Sequence, residues 1–413
     1  MDRDGQARGA ASAMAPENGP RSMGAAFRSM PLAPLLATLA VQTFATMALF
    51  SVPTAAPDIA RSLHVPGSLI GVFVSLVYGV GIGSALLSPG FVHRFGAVRV
   101  TQVTLIAVLA MLAIGSSGGV AGLAAGAVVL GLAYGAIAPA STHLLVPQTP
   151  RVVFNLVMSL RQIGVPLGGV LGALFVPPLV LHFGWRGALL CETIPVAALL
   201  VALQPARRAW DTDRDPAWPL WGRALLQPLR LLREDQALRR LSVASFVYSG
   251  VQLCFIAFMT VQLTAEVHVG LVQAGVALAL YQISGSASRP VWGWVADRFL
   301  APGRLLALLG VAMAAAALAA GRFGPAWPWS AVLGVAVFGG ASASGFTGVA
   351  YAEYARLGGA RRTEATGLGT AMMFAGVMLV PSLFGGAVTA LGGWFLPYAG
   401  LAAVSLGAAW AVW

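Results

Sequence analysis

From residue 32 onward the sequence is a succession of apolar runs, separated by short polar breaks. The hydrocarbon core of a bilayer is about 30 Å thick, so a helix needs about 20 apolar residues to cross it. Runs of that order fall at about 32–54, 68–89, 99–117, 120–141, 153–180 and 187–204, and then at about 241–263, 270–295, 303–321, 328–352, 365–388 and 393–413. In lipid every backbone N–H and C=O must be paired inside the chain, and runs of this length do so as helices. The predicted fold class is therefore an all-α polytopic membrane protein with twelve transmembrane helices in two pseudo-symmetric six-helix bundles. The bundles cover 31–204 and 241–413, joined by a linker at 205–240 and preceded by a disordered tail at 1–30. Only 9% of the residues are charged and 58% are hydrophobic, with a mean hydropathy of +0.81. Soluble domains carry roughly 25% charged residues, so a soluble enzyme or binding module is excluded.

The net charge of +11 is a topology signal. All 25 basic side chains are arginine; 20 fall in the tail, the linker and alternate loops, whereas the other set of loops holds three, Arg61, Arg186 and Arg322. The excess of arginine marks the cytoplasmic face and places both termini there. It argues against a nucleic-acid surface. A genome rich in Ala, Gly and Arg codons fits a bacterial inner membrane. Cys191 and Cys254 both fall in apolar runs and read as small hydrophobic residues, and no cluster of metal ligands or cofactor motif is present. In the linker, "LWGRALLQPLRLLREDQALRRL" at 220–241 alternates Leu and Trp with Arg, broken at Pro228. It reads equally as helices lying on the anionic inner leaflet or as a solvated connector.

Two segments repeat across the halves. "GFVHRFGAVR" (90–99) resembles "GWVADRFLAPGR" (293–304), and "FGWRGA" (183–188) resembles "GGWFLPYA" (392–399), at similar offsets. Duplicated halves packed in parallel are a transporter plan. In the fifth run, Gly164, Gly168 and Gly172 recur every fourth residue around Pro166. Such a stripe lets a neighbouring helix approach and slide, and the proline permits bending; static packing is the competing reading. Gly79/Gly83 and Gly131/Gly135 repeat the pattern.

The loop after the eighth run, Gly293-Trp-Val-Ala-Asp297-Arg298-Phe with Gly303-Arg304 following, resembles the Gly-x-x-x-Asp-Arg-x-Gly signature of the major facilitator superfamily. The equivalent first-half loop keeps Arg94, Gly96 and Arg99 but has His93 where the superfamily has Asp. "RQIGVPLGGVLG" (161–172) is similar to that superfamily's fifth helix. The resemblance implies a secondary transporter of a small solute, working by alternating access as a monomer without a cofactor. It implies too a cytoplasmic latch: Asp297 meets the start of the fifth helix near Arg151 to Asn155, and His93 meets the start of the eleventh near Arg361 to Glu364. An imidazole titrates near neutrality, so His93 makes that half of the latch weaker or pH-dependent.

Two arginines, Arg161 and Arg289, lie inside apolar runs. A guanidinium there costs at least ~2.5–3.5 kcal/mol on insertion scales, so it faces a cavity or a partner. Arg289 precedes Asp297 by eight residues, about 12 Å of helix rise, so snorkelling to the cytoplasm is its alternative. Two cations without a matching carboxylate point to an anionic substrate. "SRPVWG" (288–293) also resembles the Arg-Pro-x-x-Gly of monocarboxylate and oxalate/formate-type carriers, which implies that Arg289 takes a carboxylate; those carriers have an Asp where this chain has Gly285. "GVAYAEYARL" (348–357) resembles a branch that includes cyanate/nitrate-type carriers. Tyr134, Tyr248, Gln252, Tyr281 and Gln282 are further candidates for the substrate cavity, weighed against a role in helix packing. The coupling partner is a proton, a cation or a counter-anion. Proton-coupled multidrug efflux, the alternative, expects an acidic residue deep in the first or fourth run, and neither has one. A membrane enzyme needs paired catalytic groups at one depth, and the five histidines are scattered. A sensor on a transporter fold is expected to carry an appended soluble domain, which this sequence does not suggest.

Overall fold

The structure, a computed structural model, describes residues 29–65, 69–220 and 227–413. The tail expected over 1–30 lies almost wholly outside the described residues, as does 221–226 of the linker. Among the described residues every regular element is helical, and nine runs are long and apolar enough to cross a membrane. Two of these, Arg151–Ala202 with 52 residues and Trp329–Leu391 with 63, exceed one bilayer crossing and double back. The first turns at Gly184, whose φ of 68° favours glycine. Leu271–Arg298 is a further crossing, lowered in hydropathy by its glutamines, serines and Arg289.

Twelve spans result. In the first half they are α1 (Leu32–Thr54), α2 (Leu69–Phe95), α3 (Ala97–Ser117) and α4 (Gly119–Tyr134, resumed by Ile137–Leu145). Next, α5 starts as Phe154–Gln162 and continues over 164–183, and α6 covers 185–202. The second half has α7 (Gln236–Glu266), α8 (Leu271–Arg298), α9 (Pro302–Ala320) and α10 (Trp329–Gly339 and Thr347–Gly358, joined by the π-helical Gly340–Ser344). It ends with α11 (Arg362–Leu391) and α12 (Phe395–Val412).

The halves pack alike. α1 lies on α5 as α7 lies on α11, and α2 on α4 as α8 on α10. They meet through α2 against α11 and α5 against α8, related by the same two-fold logic. Large apolar side chains cover the outside, Leu181 and Trp410 being 85% and 84% exposed. In water that surface would be a liability; against acyl chains it is the expected one.

The glycine stripe of α5 is a close approach to α1. A Cβ on Gly164 would stand 2.8 Å from the Leu39 carbonyl, and one on Gly168 would meet Thr43 O and stand 2.7 Å from Thr46 Cβ. Gly131 does the same on α4, where a Cβ would lie 2.7 Å from Val77 O on α2. The partner stripe expected at Gly79/Gly83 is not one: Gly83 has open space around it, and Gly81 carries the approach, against Phe374. In the linker, Pro228 lies within the helix Gln227–Glu234, and the residues just before Gln227 lie outside the described ones; a break in the described part of the linker follows that helix. Asp235 makes the break, accepting from the Ala237 and Leu238 amides to cap α7, which starts at Gln236.

Candidate functional site

Between the halves lies a cavity of about 710 Å³. It extends from Arg289 and Ser344 in the middle to Thr54, Ala173 and Val377 toward the face opposite the arginine-rich loops. Among the described residues Arg289 is the lone charged residue in its lining, and no Asp or Glu contributes.

Two helices are irregular at its inner end, and the irregularities explain Arg289. Pro166 has no N–H to give the carbonyl four residues earlier, so Gln162 O is released from the α5 ladder. The π-helical Gly340–Ser344 of α10 likewise disturbs its own ladder. A carbonyl freed at membrane depth must find a donor. α8 supplies them. Arg289 Nη1 donates to Gln162 O, Arg289 Nε donates to Ser344 O at 3.1 Å, and its Nη2 reaches Ser344 Oγ at 3.4 Å. Ser288 Oγ and Trp292 Nε1 donate to Ala341 O at 3.1 and 2.7 Å. Arg289, 2% exposed, therefore bridges α5 of one half and α10 of the other, without snorkelling and without a carboxylate.

Arg161 is different. It is fully buried, and none of its three guanidinium nitrogens has a hydrogen-bond partner among the described residues. Its neighbour is the Tyr351 ring, whose centroid is 5.2 Å from the guanidinium carbon, a cation–π contact. Tyr351 lines the cavity and Arg161 does not, so Arg161 stands behind that ring. The membrane carboxylate Glu192 on α6, 3% exposed, lies outside the lining.

Of the residues expected to face substrate, Arg289, Tyr134, Gln252 and Gln282 line the cavity. Tyr248 and Tyr281 do not, which corrects the sequence reading. Gly310 on α9 leaves room for the Tyr248 hydroxyl, which donates to Leu306 O at 3.2 Å. Tyr281 stacks on Phe255 and donates to Gln252 O at 3.3 Å. Sequence reasoning missed Gln42, Tyr78, Gln162, Tyr351 and Phe374. Tyr78, Tyr134 and Phe374 form one aromatic wall: Tyr78 lies edge-on to both, at 6.1 and 5.0 Å, and Tyr134 stacks on Phe374 at 5.6 Å. The two tyrosines were visible as polar aromatics next to glycine in apolar runs, whereas nothing local distinguishes Phe374. Several polar groups here are engaged with the protein: Tyr134 OH with Thr46 at 3.1 Å, Gln252 with Ser344 at 3.1 Å, and Tyr351 OH with Thr370 at 3.2 Å.

The arginine-rich end is closed. One Asp297 oxygen accepts from Asn155 N at 2.9 Å and Asn155 Nδ2 at 2.7 Å, the other from Leu156 N at 2.9 Å. That places a carboxylate on the positive end of α5. Gly293 permits the approach, since a Cβ would stand 2.7 Å from Asn155 O. In the equivalent place His93 Nε2 lies 3.0 Å from Glu364 Oε1. The linker folds over this end: Trp218 stacks on His93 at 4.4 Å and accepts from Arg94 Nη1 at 3.2 Å, and Asp213 lies 2.9 Å from His143 Nε2. Asp211 caps α3 by accepting from Val98 N and Arg99 N at 2.7 and 3.0 Å, close over Gly96, whose φ is 92°. Burial pushes the Asp211 carboxyl above its usual range, and the two amides pull it back.

The sequence matches the family model described as Major Facilitator Superfamily over residues 38–261 and again over 241–413. No curated protein matches it. Among solved structures, the human organic anion transporter MFSD10 (TETRAN) superposes with a TM-score of 0.72 at 17% identity, covering 93% of this chain and all of that one. FucP, the E. coli fucose:proton symporter, in its outward conformation gives 0.69 at 15%, covering 91% of this chain and 97% of that one. The proton:xylose symporter XylE bound to 6-bromo-6-deoxy-D-glucose gives 0.67 at 13%, covering 92% and 94%. At such identities the likeness concerns the fold.

Proposed function

The chain belongs to the Major Facilitator Superfamily, as an integral membrane transporter of the secondary type, and we propose that its cargo is a small organic anion. One observation carries the reading: two buried guanidinium groups lie at or beside the central cavity, whose lining holds no carboxylate to neutralise them. Both leave donors unmatched. Arg161 engages none of its five N–H groups and Arg289 only three. A carboxylate bound in the cavity accepts the unmatched Arg289 donors and, across the Tyr351 ring, offsets the uncompensated charge of Arg161. The organic anion transporter MFSD10 shares the fold and is in keeping with this choice.

Sugar transport, suggested by FucP and XylE, is less well supported. A sugar needs many unengaged polar groups, whereas Tyr134, Gln252 and Tyr351 are bonded within the protein. Cation efflux lacks its carboxylate.

In the proposed cycle the arginine-rich face is cytoplasmic, as are both termini, and the protein works as a monomer in a bacterial inner membrane. The Asp297 and His93 contacts act as the latch of the outward-open state. Substrate enters from the opposite face, the halves rock about the α2–α11 and α5–α8 contacts, and the latch breaks as the inner end opens. The glycine stripe of α5 gives α1 a smooth surface for that motion. A proton, cation or counter-anion gradient drives it.

Thermal stability of the purified protein with mono-, di- and tricarboxylates, inorganic anions, sugars and cationic drugs tests the cargo. At least one anion is expected to raise Tm, and uptake of that anion by proteoliposomes is expected to fall in Arg289→Ala. Stabilisation by sugars or cations alone, or equal uptake by both proteins, would refute the reading.

A further inference from the structure

We infer that the cargo is a monocarboxylate with a flat, apolar body, not a compact acid or an extended dicarboxylate. This rests on the anion reading above and deepens it.

Charge and shape are separated within the cavity. Both guanidinium groups sit at its inner end: Arg289 in the wall and Arg161 behind the Tyr351 ring. An anion against Arg289 feels Arg161 through that ring in a medium of low dielectric, where screening is weak. Beyond this end the lining carries no charged residue of either sign. A second carboxylate at the far end of a long diacid would be desolvated without a partner, which is costly.

Size argues the same way. Binding cavities of roughly 300–1,000 Å³ suit drug-sized ligands, and this one measures about 710 Å³. A two-carbon acid would occupy a small corner and leave the wall of Tyr78, Tyr134 and Phe374 without contact. That wall already stacks ring on ring, with Tyr134 and Phe374 inclined at only 17°. A third aromatic plane is the surface it best complements, through offset or edge-on contact. It also joins the halves, Tyr78 and Tyr134 coming from one and Phe374 from the other. A ligand seated there touches both moving bodies, which is what a carried substrate must do.

The test is a binding series on the wild-type protein in nanodiscs: acetate, succinate, benzoate, 2-naphthoate and the neutral 2-naphthalenemethanol. We expect 2-naphthoate and benzoate to bind at least about tenfold more tightly than acetate, succinate to be no better than acetate, and the neutral alcohol to be the weakest of the aryl compounds. Acetate or succinate binding as tightly as 2-naphthoate would overturn this inference and leave the anion reading standing. The neutral alcohol binding as tightly as 2-naphthoate would overturn both. Failure of both aryl acids to bind while acetate or succinate binds would also overturn the inference alone. Phe374→Ala adds a check within the series: it is expected to weaken 2-naphthoate about tenfold and leave any acetate binding unchanged. Equal loss for both acids would refute the role of the wall.

Discussion

Removing the Asp297 carboxylate should shift the protein from outward-open toward inward-open. In the closed state this group accepts three hydrogen bonds from the first turn of α5, at 2.7 to 2.9 Å. Hydrogen bonds to a charged group contribute roughly 1.5–3 kcal/mol, and a carboxylate at a helix N-terminus adds about 0.3–1 kcal/mol. The three bonds share one partly solvated carboxylate, so they do not simply add. A total of about 2–4 kcal/mol follows, which at about 1.4 kcal/mol per tenfold is a shift of roughly 30- to 1,000-fold in the conformational equilibrium. Because these groups part when the inner end opens, nearly all of that difference falls on the outward-open state. The assay is a pulsed-dipolar distance measurement between spin labels at Phe95 and Phe299, which lie at the arginine-rich ends of α2 and α8 and are 41% and 61% exposed. Cys191 and Cys254 are first replaced by Ala. Asp297→Ala should move the distribution to longer distances, and Asp297→Asn should do so less, because an amide oxygen still accepts. An unchanged distribution in Asp297→Ala, with unchanged uptake, would refute the latch.

Two further outcomes follow from packing and charge. Arg161→Gln replaces a buried cation that has no hydrogen-bond partner among the described residues by a neutral group, so Tm without ligand should rise, while the affinity for a stabilising anion falls by about tenfold or more. A drop in Tm with unchanged affinity would refute the role given to Arg161. Gly168→Val forces side-chain atoms into Thr43 O and Thr46 on α1. It should cost about 1–3 kcal/mol of stability, measured as a lowered Tm, and slow uptake as α1 and α5 are pushed apart.

Much of the membrane architecture could be read from local sequence, because its cause is local. A run of apolar residues has to be helical in lipid whatever surrounds it, so the twelve spans were legible from hydropathy alone. The pair of buried arginines stood out for the same reason, since a guanidinium among apolar residues needs an explanation at any address. The cavity was less legible. Tyr248 and Gln252 look alike on paper, one helical turn apart, but Gly310 on α9 draws the first away and Ser344 holds the second. Phe374, a plain apolar residue in an apolar helix, gave no sign of its place in the aromatic wall.

By itself the sequence determined that this chain is a bundle of membrane helices in two related halves, with glycines and prolines where helices approach or break. It also determined that Pro166 leaves a carbonyl without its helical donor. Only the tertiary structure decided that the donor is Arg289, 127 residues away in the chain. It decided too that Arg161 is left with a ring and no hydrogen-bond partner, and that the linker closes over His93. The physical reason is one of range. Burial in lipid and a missing N–H act on a residue through its own segment, whereas a polar side chain in the bilayer takes its role from whichever helix is packed against it.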